Sequence, residues 1–427
     1  MTENKTILML IPQLSLGGAE RVFHDQAREL ARAGHRVIEC IFEVRSKIGF
    51  PTENQLVVLQ TPEAGASPLS KLQTLQQRVK EVKRLKEVQD VDVCISHLEG
   101  ADYVNLLSKG KEQVILCVHN SKRHDPNYRG GAGWVRRRLL MPLLYRRADY
   151  VVTVSRDLRQ ELIDYFQLPA NRVIAINNFL QLSALHRQAA EPLTEPAEIA
   201  LFADAPVLIA VGRLDLEKNP VVLLSVLAGL RQRGSNARLV LVGDGTQRSV
   251  LEAEAQRLKL RLWNGITSTA DPDPGSLLPY DVLLLGFRAN PFQYVVQATI
   301  SLLPSLTEGF PMVLCEALAC GIPVASADCP TGPREILAPD TAPTQYAQKP
   351  EWAEYGLLLP ILRQQAPDYN ASVSSWVDSI ATLLNDTNCY QHYVSQATHR
   401  GAIFGPKPVM AQWEQLLRST SISAKVA

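Results

Sequence analysis

The chain has 427 residues, of which 46% are hydrophobic, so it can bury a large core, and its length predicts two or perhaps three domains. Lysine and arginine number 44 against 43 aspartates and glutamates, so the overall charge offers no general attraction to nucleic acid or to an anionic membrane. We therefore expect no nucleic-acid partner.

The apolar run in MTENKTILMLIPQLS is too short for a signal peptide, and no later stretch reaches membrane-spanning length. The seven cysteines are scattered and never spaced as Cys-x-x-Cys, which favours reduced core thiols over disulfides or zinc ligands. These features predict a cytoplasmic protein, either free or at the inner face of the membrane.

In the first half of the chain, short apolar runs alternate with segments of helical periodicity. The helix predicted in GAERVFHDQARELARAG ends at Gly34, a residue type common just after helices. The predicted strands of this half are TILMLIP, HRVIECIFEV, VDVCIS, QVILCVHN, DYVVTVS and RVIAINNF.

The second half repeats this alternation, with a helix predicted in TQRSVLEAEAQRLKL. Its predicted strands are PVLIAVGRL, ARLVLVGDG, DVLLLGF, SLLPSL and GIPVASADC. The alternation predicts the α/β class, with two Rossmann-like domains built on parallel sheets. The domains are expected at residues 1–190 and 200–405, with a linker near 186–205 that is rich in Ala, Glu and Pro.

Two acidic residues stand out in LPSLTEGFPMVLCEALACGIPVASADC. Glu308 is predicted at a strand end and Glu316 on the following helix, so both can face the edge where open α/β sheets bind ligands. Carboxylates there can accept hydrogen bonds from sugar hydroxyls, and the backbone N–H groups of Gly309 to Leu314 can donate to phosphate. Taken alone, the two glutamates are equally explained as a helix-start acid and a solvated helix residue.

This segment resembles the Glu-x7-Glu motif of retaining glycosyltransferases of the GT-B architecture, especially those of glycosyltransferase family 4. The upstream VLIAVGRLDLEKNP is similar to the family's strand, Gly-Arg turn and Lys-Asn segment, and LVLVGDG, GFRANPFQYV and YGLLLP follow in the family's order. The resemblance covers most of the chain and departs from the family at 264–281, which is longer and richer in proline. The GDG turn itself is better explained by strand-to-helix geometry than by ligand contact.

The resemblance implies the GT-B fold, in which two Rossmann-like domains face an interdomain cleft and residues 406–427 return to the first domain as a terminal helix. The first domain would bind the acceptor and the second the donor. Arg213 and Lys218 match the cations that bind the donor diphosphate, Glu308 matches the residue that holds the transferred sugar, and Glu316 matches the ribose-binding residue. Singly, such cations are more often solvated surface charges. Two of them on a diphosphate would offset the charge of the leaving group, so no metal or other cofactor is expected.

In the first domain, Gly17 and Gly18 lie between the first strand and its helix, where the family has a similar Gly-Gly loop that lets a backbone approach an anion. Such glycines also serve turn geometry alone. His119 ends QVILCVHN and resembles the family's active-site histidine, although a histidine at a strand end is also commonly structural. The predicted catalytic residues are His119, Arg213, Lys218 and Glu308. The predicted donor-binding residues are Gly17, Gly18, Arg213, Lys218, Glu308, Gly309, Phe310, Pro311, Met312, Val313 and Glu316.

The segment WVRRRLLMPLLYRRADY combines basic and apolar residues. It fits a membrane-surface element or, since Pro142 interrupts it, a buried helix flanked by arginines whose stems lie on apolar surface. The predicted membrane contacts are Trp134, Arg136, Arg137, Arg138, Arg146 and Arg147.

The resemblance implies a metal-independent, retaining hexosyltransferase. TGPREIL is similar to bacterial enzymes that build polysaccharides or lipid-linked oligosaccharides, so the expected donor is a UDP-hexose or UDP-N-acetylhexosamine and the expected acceptor a saccharide or lipid-linked saccharide. Two alternatives share the architecture, a sugar-nucleotide epimerase and a non-catalytic binding or scaffold protein.

Overall fold

The chain folds into two compact units in the computed structural model. One unit comprises Met1–Phe179 with Pro406–Ala427, and the other comprises Leu180–Gly405. The residues that the structure describes are 4–15, 17–44, 49–60, 67–124, 130–267 and 276–419.

The first unit contains a sheet of seven parallel strands in the order β3-β2-β1-β4-β5-β6-β7. The strands are β1 (Thr6–Ile11), β2 (Arg36–Ile41), β3 (Gln55–Val58), β4 (Val93–His97), β5 (Gln113–Val118), β6 (Tyr150–Thr153) and β7 (Val173–Ala175). All except β3 coincide with predicted segments, and β4 extends one residue beyond its segment VDVCIS, to His97. β3 was missed because it is a short edge strand that is only partly buried, so it lacks a long apolar run.

Helices connect these strands, as the βαβ pattern predicts. They are α1 (Gly18–Arg32), α2 (Pro68–Val88), α3 (Glu99–Leu107), α4 (Gly131–Val135), α5 (Met141–Tyr145) and α6 (Arg156–Asp164). Arg136–Leu140 forms a π-helical turn between α4 and α5. The predicted end of α1 is confirmed, since Gly34 adopts φ +100° directly after the helix.

The second unit contains an eight-stranded sheet in the order β10-β11-β9-β8-β12-β13-β15-β14. Its strands are β8 (Val207–Val211), β9 (Arg238–Val242), β10 (Leu262–Asn264), β11 (Val282–Gly286), β12 (Ile300–Leu303), β13 (Val324–Ala327), β14 (Glu351–Ala353) and β15 (Gly356–Leu359). Only β14 is antiparallel to its neighbour among the pairs of these strands. The strands β10 and β14 were not predicted because they are three-residue edge strands that are only partly buried. The buried strand β15 lies in YGLLLP, which was recognised as a family segment but not as a strand.

The helices of the second unit are α7 (Leu182–Ala189), α8 (Pro196–Asp204), α9 (Val222–Gln232), α10 (Arg248–Arg257), α11 (Phe292–Val295), α12 (Met312–Ala319), α13 (Pro333–Leu337), α14 (Tyr369–Asn385) and α15 (Thr387–Gly401). The prediction of a linker near 186–205 was wrong, and the first unit ends before the predicted residue 190. α7 and α8 occupy this stretch because Pro196 starts a helix whose Ala197 and Leu201 are fully buried. Of the predicted excursion at 264–281, residues 268–275 lie outside the described residues.

The last helix, α16 (Pro406–Arg418), packs within the first unit. Its Trp413 and Leu417 join the apolar cluster that contains Ile7 of β1, and Lys5 Nζ donates to the carbonyl oxygen of Leu417 at 2.6 Å. The chain thus returns to its first unit at its C-terminal end.

The predicted α/β class with two Rossmann-like domains is confirmed. On β1, Ile7 and Met9 join one apolar cluster, and Leu8 and Leu10 join another, so the sheet is covered on both faces, as parallel sheets are. Each such fully buried side chain stabilises the fold by about 1.5–3 kcal/mol. Strand order reverses between β1 and β4 in the first sheet and between β8 and β12 in the second, and ligands bind at such points in open α/β sheets. Within the described residues, no helix is both long enough and apolar enough to cross a bilayer.

Candidate functional site

The loop after β8 carries Arg213 and rests directly on the loop after β9. Gly243 has φ +139°, and a Cβ atom there would lie 1.9 Å from the carbonyl oxygen of Gly212. The amide of Leu214 donates to the carbonyl oxygen of Asp244 at 3.0 Å. The GDG turn therefore supports the Arg213 loop through backbone packing, as the turn geometry predicts.

Arg213 projects from this loop with 72% of its side chain exposed. Its guanidinium lies 3.0 Å from Asp215 Oδ2, and Asp215 Oδ1 accepts a hydrogen bond from the Lys218 amide at 3.0 Å. Asp215 thus contacts the charged group of Arg213 and the backbone of Lys218, although Asp215 was not among the predicted site residues.

Lys218 and Glu308 form an ion pair across the reversal point of the second sheet. Lys218 Nζ lies 2.6 Å from Glu308 Oε1 and 2.8 Å from Oε2. The Glu308 side chain is 7% exposed and that of Lys218 is 28% exposed. The buried Ser305 hydroxyl donates to Glu308 Oε1 at 2.6 Å. Because Lys218 follows β8 and Glu308 follows β12, tertiary structure joins two residues that are 90 positions apart.

The segment between Glu308 and α12 is held from the side of α13. Thr331 Oγ1 donates to the carbonyl oxygens of Glu308 and Gly309, both at 2.9 Å. Gly332 has φ +94°, and a Cβ atom there would lie 2.7 Å from Pro311 Cδ. This packing explains the Thr-Gly-Pro sequence before α13, where only glycine allows so close an approach.

The predicted donor-binding residues 309–313 differ in what they can offer. Phe310 is buried against Phe404, with ring centroids 6.3 Å apart, and Pro311 is also buried, so their side chains belong to the core. The first turn of α12 leaves backbone N–H groups without intrahelical partners, and its dipole favours an anion there. Glu316 lies half-buried on α12 and takes no part in the Lys218–Glu308 pair.

Thr307, the residue before Glu308, has a buried hydroxyl oxygen with no hydrogen-bond partner within the described part of the chain. Most buried polar groups form hydrogen bonds. Because the Thr307 hydroxyl does not form one within the described part of the chain, we count it as a further polar group of the candidate site. Neither Thr307 nor Ser305 was among the predicted site residues, although both lie in the quoted motif.

GFRANPF matches a family segment, but its polar side chains are engaged within the unit. Arg288 pairs with the buried Glu198 of α8 at 2.7 Å, and the Tyr294 hydroxyl donates to the same carboxylate at 2.9 Å. Asn290 Nδ2 donates to the Gln188 carbonyl oxygen at 2.8 Å. This segment ties α11 to α7 and α8.

In the first unit, His119 lies directly after β5 and contacts His97 at the end of β4. His97 Nδ1 and His119 Nε2 are 2.9 Å apart, and the rings stack with centroids 5.0 Å apart. His97 is fully buried and His119 is 8% exposed. His97 was not among the predicted site residues, although VCISH and LCVH both place a histidine at the end of a buried run and the two runs form neighbouring parallel strands.

Burial sets the protonation of this histidine pair. Burial, with a smaller effect of the nearby Lys122 charge, lowers the pKa of His119 to about 4. Burial also lowers the pKa of His97 well below its ordinary value, and His119 adds to this effect. Both rings are therefore neutral near pH 7.

A pocket within the first unit opens beside this pair at the carboxyl ends of β5, β6 and β7. Its lining includes the polar residues Gln26, His97, His119, Asn177 and Asn178 and the apolar residues Val22, Val152, Val154, Ile176, Phe179 and Trp413. The cavity is small, at about 20 Å³, so it has room for a single small polar group rather than for a whole ligand.

Gly17 and Gly18 lie where predicted, at the start of α1, but their surroundings differ. The Glu20 carboxylate occupies the space beside Gly17, where an added Cβ atom would lie 2.2 Å from Glu20 Oε2. Ser15 Oγ donates to Glu20 Oε1 at 2.8 Å. Gly18 is exposed, and among the described residues no heavy atom apart from its chain neighbours and the backbone of its own helix lies within 4 Å of an added Cβ atom. The start of α1 therefore already carries a carboxylate, and Gly18 is the more open of the two glycines.

A second polar cluster lies beside the histidine pair. The Ser96 and Tyr145 hydroxyls each donate to the Asp102 carboxylate at 2.7 Å. Burial raises the pKa of Asp102 to about 7, against the opposing effect of these two hydrogen bonds.

The 134–147 surface, formed by α4, the π-helical turn and α5, is mixed in character. Trp134, Leu139 and Leu143 are 52%, 59% and 67% exposed, whereas Met141 and Tyr145 are buried, so the alternative of a buried helix flanked by arginines holds for one face of the segment only. Arg136 is held by Glu99 at 2.6 Å, and Arg137 donates to the Arg123 carbonyl oxygen at 3.1 Å. The remaining predicted arginines, all exposed, are Arg138, Arg146 and Arg147.

Two family models match the chain. Residues 16–184 match Glycosyltransferase Family 4, and residues 205–354 match Glycosyl transferases group 1. The chain is a GT4-like GT-B glycosyltransferase. The sequence resemblance to this family and the predicted fold are thereby confirmed.

This glycosyltransferase has relatives along most of its length. An uncharacterized glycosyltransferase of Methanocaldococcus jannaschii is 26% identical over 345 residues, which are 77% of this chain and 80% of that protein. N-acetylgalactosamine-N,N'-diacetylbacillosaminyl-diphospho-undecaprenol 4-alpha-N-acetylgalactosaminyltransferase of Campylobacter jejuni is 25% identical over 402 residues, which are 93% of this chain and 94% of that protein. The crystal structure of Anabaena HepE in complex with UDP and glucose shares the fold, with a TM-score of 0.72, 19% identity and coverage of 98% of this chain and 100% of that one.

Proposed function

We propose that this glycosyltransferase transfers a hexosyl or N-acetylhexosaminyl residue from a UDP-sugar to a saccharide or lipid-linked saccharide in bacterial glycan synthesis. The Lys218–Glu308 ion pair at the reversal point of the second sheet carries the proposal. It brings a cation and a hydroxyl-binding carboxylate together beside the start of α12.

The ion pair suits a donor that carries a diphosphate next to a sugar. In our proposal, Arg213 and Lys218 bind the diphosphate, because phosphate oxygens form strong charge-assisted hydrogen bonds with such cations. Glu308, held by Ser305, then accepts hydrogen bonds from sugar hydroxyls. The backbone of residues 309–313 adds N–H donors, and Glu316 on α12 binds the ribose.

The same cations would assist bond breaking. As the bond between the anomeric carbon and the diphosphate oxygen breaks, negative charge grows on the leaving UDP, and fixed positive groups stabilise that charge. The acceptor hydroxyl forms the new bond on the same face of the sugar and its proton passes to the departing phosphate, so configuration is retained. The two cations supply the charge that a metal would otherwise provide, and we propose a metal-independent reaction.

The comparisons support the choice of donor and acceptor class. The Campylobacter relative is named as an N-acetylgalactosaminyltransferase acting on a diphospho-undecaprenol saccharide. HepE structures contain UDP with glucose, or UDP-glucose. By analogy, we assign a UDP-sugar as donor and include lipid-linked saccharides among the acceptors.

For the first unit, we propose that His119 contacts the reacting region and that the open backbone at Gly18 contacts substrate. His119 lines the pocket described above. Because its ring is neutral near pH 7, it can act as a hydrogen-bond donor but not as a permanent positive charge.

We further propose that the 134–147 surface places the protein at the inner face of the membrane. Exposed Trp134 and Leu143 would enter the interface, and Arg138, Arg146 and Arg147 would attract anionic lipid. Sedimentation with phosphatidylcholine vesicles, with or without phosphatidylglycerol, measures this. We expect the wild type to sediment with anionic vesicles and the Trp134→Ala/Leu143→Ser variant to stay in the supernatant. The control variant Leu72→Ser, at an exposed leucine of α2, should sediment as the wild type does.

The donor assignment is tested with UDP-glucose, UDP-galactose, UDP-N-acetylglucosamine and UDP-N-acetylgalactosamine. A donor present at 100 times its Kd stabilises the folded protein by about 2.7 kcal/mol, so thermal unfolding should identify it. Lys218→Ala and Glu308→Ala should abolish this shift and the release of UDP in the presence of acceptor, whereas Arg257→Ala, at an exposed arginine of the same unit, should not. Wild-type rates in both site variants would refute the assignment. Conversion of the donor without acceptor would indicate an epimerase.

A further inference from the structure

We propose that His97 is a positioning residue that sets the tautomer of His119. The hydrogen bond between them keeps the proton of His119 on Nδ1, the ring nitrogen that His97 does not contact. His119 then presents a fixed N–H donor to substrate. This consequence rests on the proposed function, whereas the tautomer itself does not.

The geometry allows one proton between the two rings. His97 Nδ1 and His119 Nε2 are 2.9 Å apart, a normal hydrogen-bond distance. A neutral imidazole carries one N–H and one acceptor nitrogen. One ring must therefore donate and the other accept, and this choice fixes where each ring carries its proton.

The surroundings of His97 identify the donor. Its other nitrogen, Nε2, is buried and has no hydrogen-bond partner in the part of the chain that the structure describes. The ring is fully buried, and Phe23 packs against it at 85° with centroids 5.2 Å apart. A proton on Nε2 would thus be a buried N–H without an acceptor, which is rare in native proteins. The proton of His97 is therefore on Nδ1, and His97 donates to His119.

The opposite choice leaves a worse arrangement. If His119 donated from Nε2, its own Nδ1 would have no proton, and His97 would carry its proton on the buried Nε2. In the arrangement that we propose, the N–H left for other partners is on His119, which is the ring with residual exposure, at 8%. His119 also lines the pocket of the first unit, where a substrate hydroxyl or carbonyl oxygen can accept this hydrogen bond.

The expected consequence is a loss of turnover when the donor on His97 is removed. Outer residues that fix the tautomer and orientation of a functional histidine typically contribute about 10- to 100-fold. His97→Phe keeps a planar ring in the buried site but removes the N–H. His97→Asn keeps an amide N–H near the position of Nδ1 and is the conservative control.

The tautomer is read directly by long-range 1H–15N NMR of protein with 15N-labelled histidine, at pH 7.5 and without sugar nucleotide. We expect both His97 and His119 to be protonated on Nδ1 in the wild type. His119 should stay protonated on Nδ1 in His97→Asn and become Nε2-protonated or mixed in His97→Phe. With the UDP-sugar that stabilises the wild type, kcat should fall about 10- to 100-fold in His97→Phe and recover largely in His97→Asn.

An Nε2-protonated His119 in the wild type, or an unchanged His119 tautomer in His97→Phe, would overturn the inference. Equal losses of kcat in both variants would do so as well, because they would indicate a merely structural role; thermal unfolding of each variant checks the fold. Failure of the proposed function would appear elsewhere, as wild-type activity in Lys218→Ala and Glu308→Ala with the tautomers unchanged.

Discussion

Both sheets carry polar residues at the carboxyl ends of neighbouring parallel strands, yet these residues differ in charge. In the second unit, the point between β8 and β12 holds an ion pair, Lys218 with Glu308, and an exposed arginine nearby. In the first unit, His97 and His119 at the ends of β4 and β5 are neutral and almost completely buried. The same topology thus provides two kinds of site, because the fold determines only where the loops meet, and the side chains on those loops determine the chemistry.

The comparison is tested most strongly by removing the charge from the second site. Lys218→Met keeps the aliphatic stem and should lower kcat/KM by about 10²–10³-fold, as expected for one group that stabilises developing charge. Release of UDP from the stabilising UDP-sugar measures this. Arg257→Met, which also removes a cation but lies far along α10, should change the rate little.

The same variant also tests the structural share of the ion pair. Breaking a fully buried pair costs roughly 3–5 kcal/mol, and a smaller loss is expected here because Lys218 is 28% exposed. Urea unfolding measures it. If the loss of activity equalled the fraction of protein unfolded under assay conditions, the Lys218–Glu308 pair would be structural. The two sites would then differ in their contribution to stability and not in their chemistry.

Two glycines show how the closely packed loop after β9 in the second unit differs from the open start of α1 in the first unit. Gly243→Ala should lower the free energy of unfolding by roughly 2–3 kcal/mol, because φ is +139° and the Cβ atom would overlap the Gly212 carbonyl oxygen. Gly18→Ala has open space and should change stability by less than about 0.5 kcal/mol. Equal losses in the two variants, measured by urea unfolding, would contradict the structural difference between the loops.

The neutral histidine pair predicts a pH dependence that the ion pair does not share. The folded protein binds a proton at His119 only near pH 4, whereas the unfolded chain binds it near pH 6.5. The unfolded state therefore takes up this proton first as pH falls from about 6.5 to about 4, so the contribution of His119 to the free energy of unfolding should drop by about 3 kcal/mol. Burial opposes ionisation of Asp102 as well, and it raises the pKa of this carboxyl to about 7. The folded protein therefore takes up the Asp102 proton before the unfolded chain does. The contribution of Asp102 to the free energy of unfolding thus rises as the pH falls, opposite to that of His119.

The variant His119→Phe isolates the histidine contribution, since it leaves Asp102 in place. Chemical unfolding between pH 4 and 7 should show a smaller loss of stability toward acid in the variant than in the wild type. If the free energy of unfolding depended on pH in the same way in both proteins, the histidine pair would not titrate between pH 4 and 7. The proposed difference in charge between the two sites would then be contradicted.

The smallest expected effect concerns metal. If Arg213 and Lys218 supply the positive charge at the second site, treatment with EDTA should leave the rate of UDP release unchanged. A loss of activity that Mg²⁺ or Mn²⁺ restores would show that the two cations do not suffice.

Much of this architecture could be predicted from local pattern. Buried parallel strands need continuous apolar runs, so most strands of both sheets are readable, as is the Gly34 helix end. Glu308 and Lys218 were recognised because their motifs are contiguous and follow one another in the order of a known family. The edge strands β3, β10 and β14 are only partly buried and have no long apolar run, so they cannot be read in this way.

Tertiary structure decided the remainder, because contacts between distant segments leave no local signal. Pro196, Ala197 and Leu201 look like linker composition until their burial on α8 is known. His97 looks like any strand-end histidine until the parallel register of β4 and β5 places it 2.9 Å from His119. Likewise, residue types and order alone identified Lys218 and Glu308 as a cation and a carboxylate, but only the adjacency of β8 and β12 makes them one site.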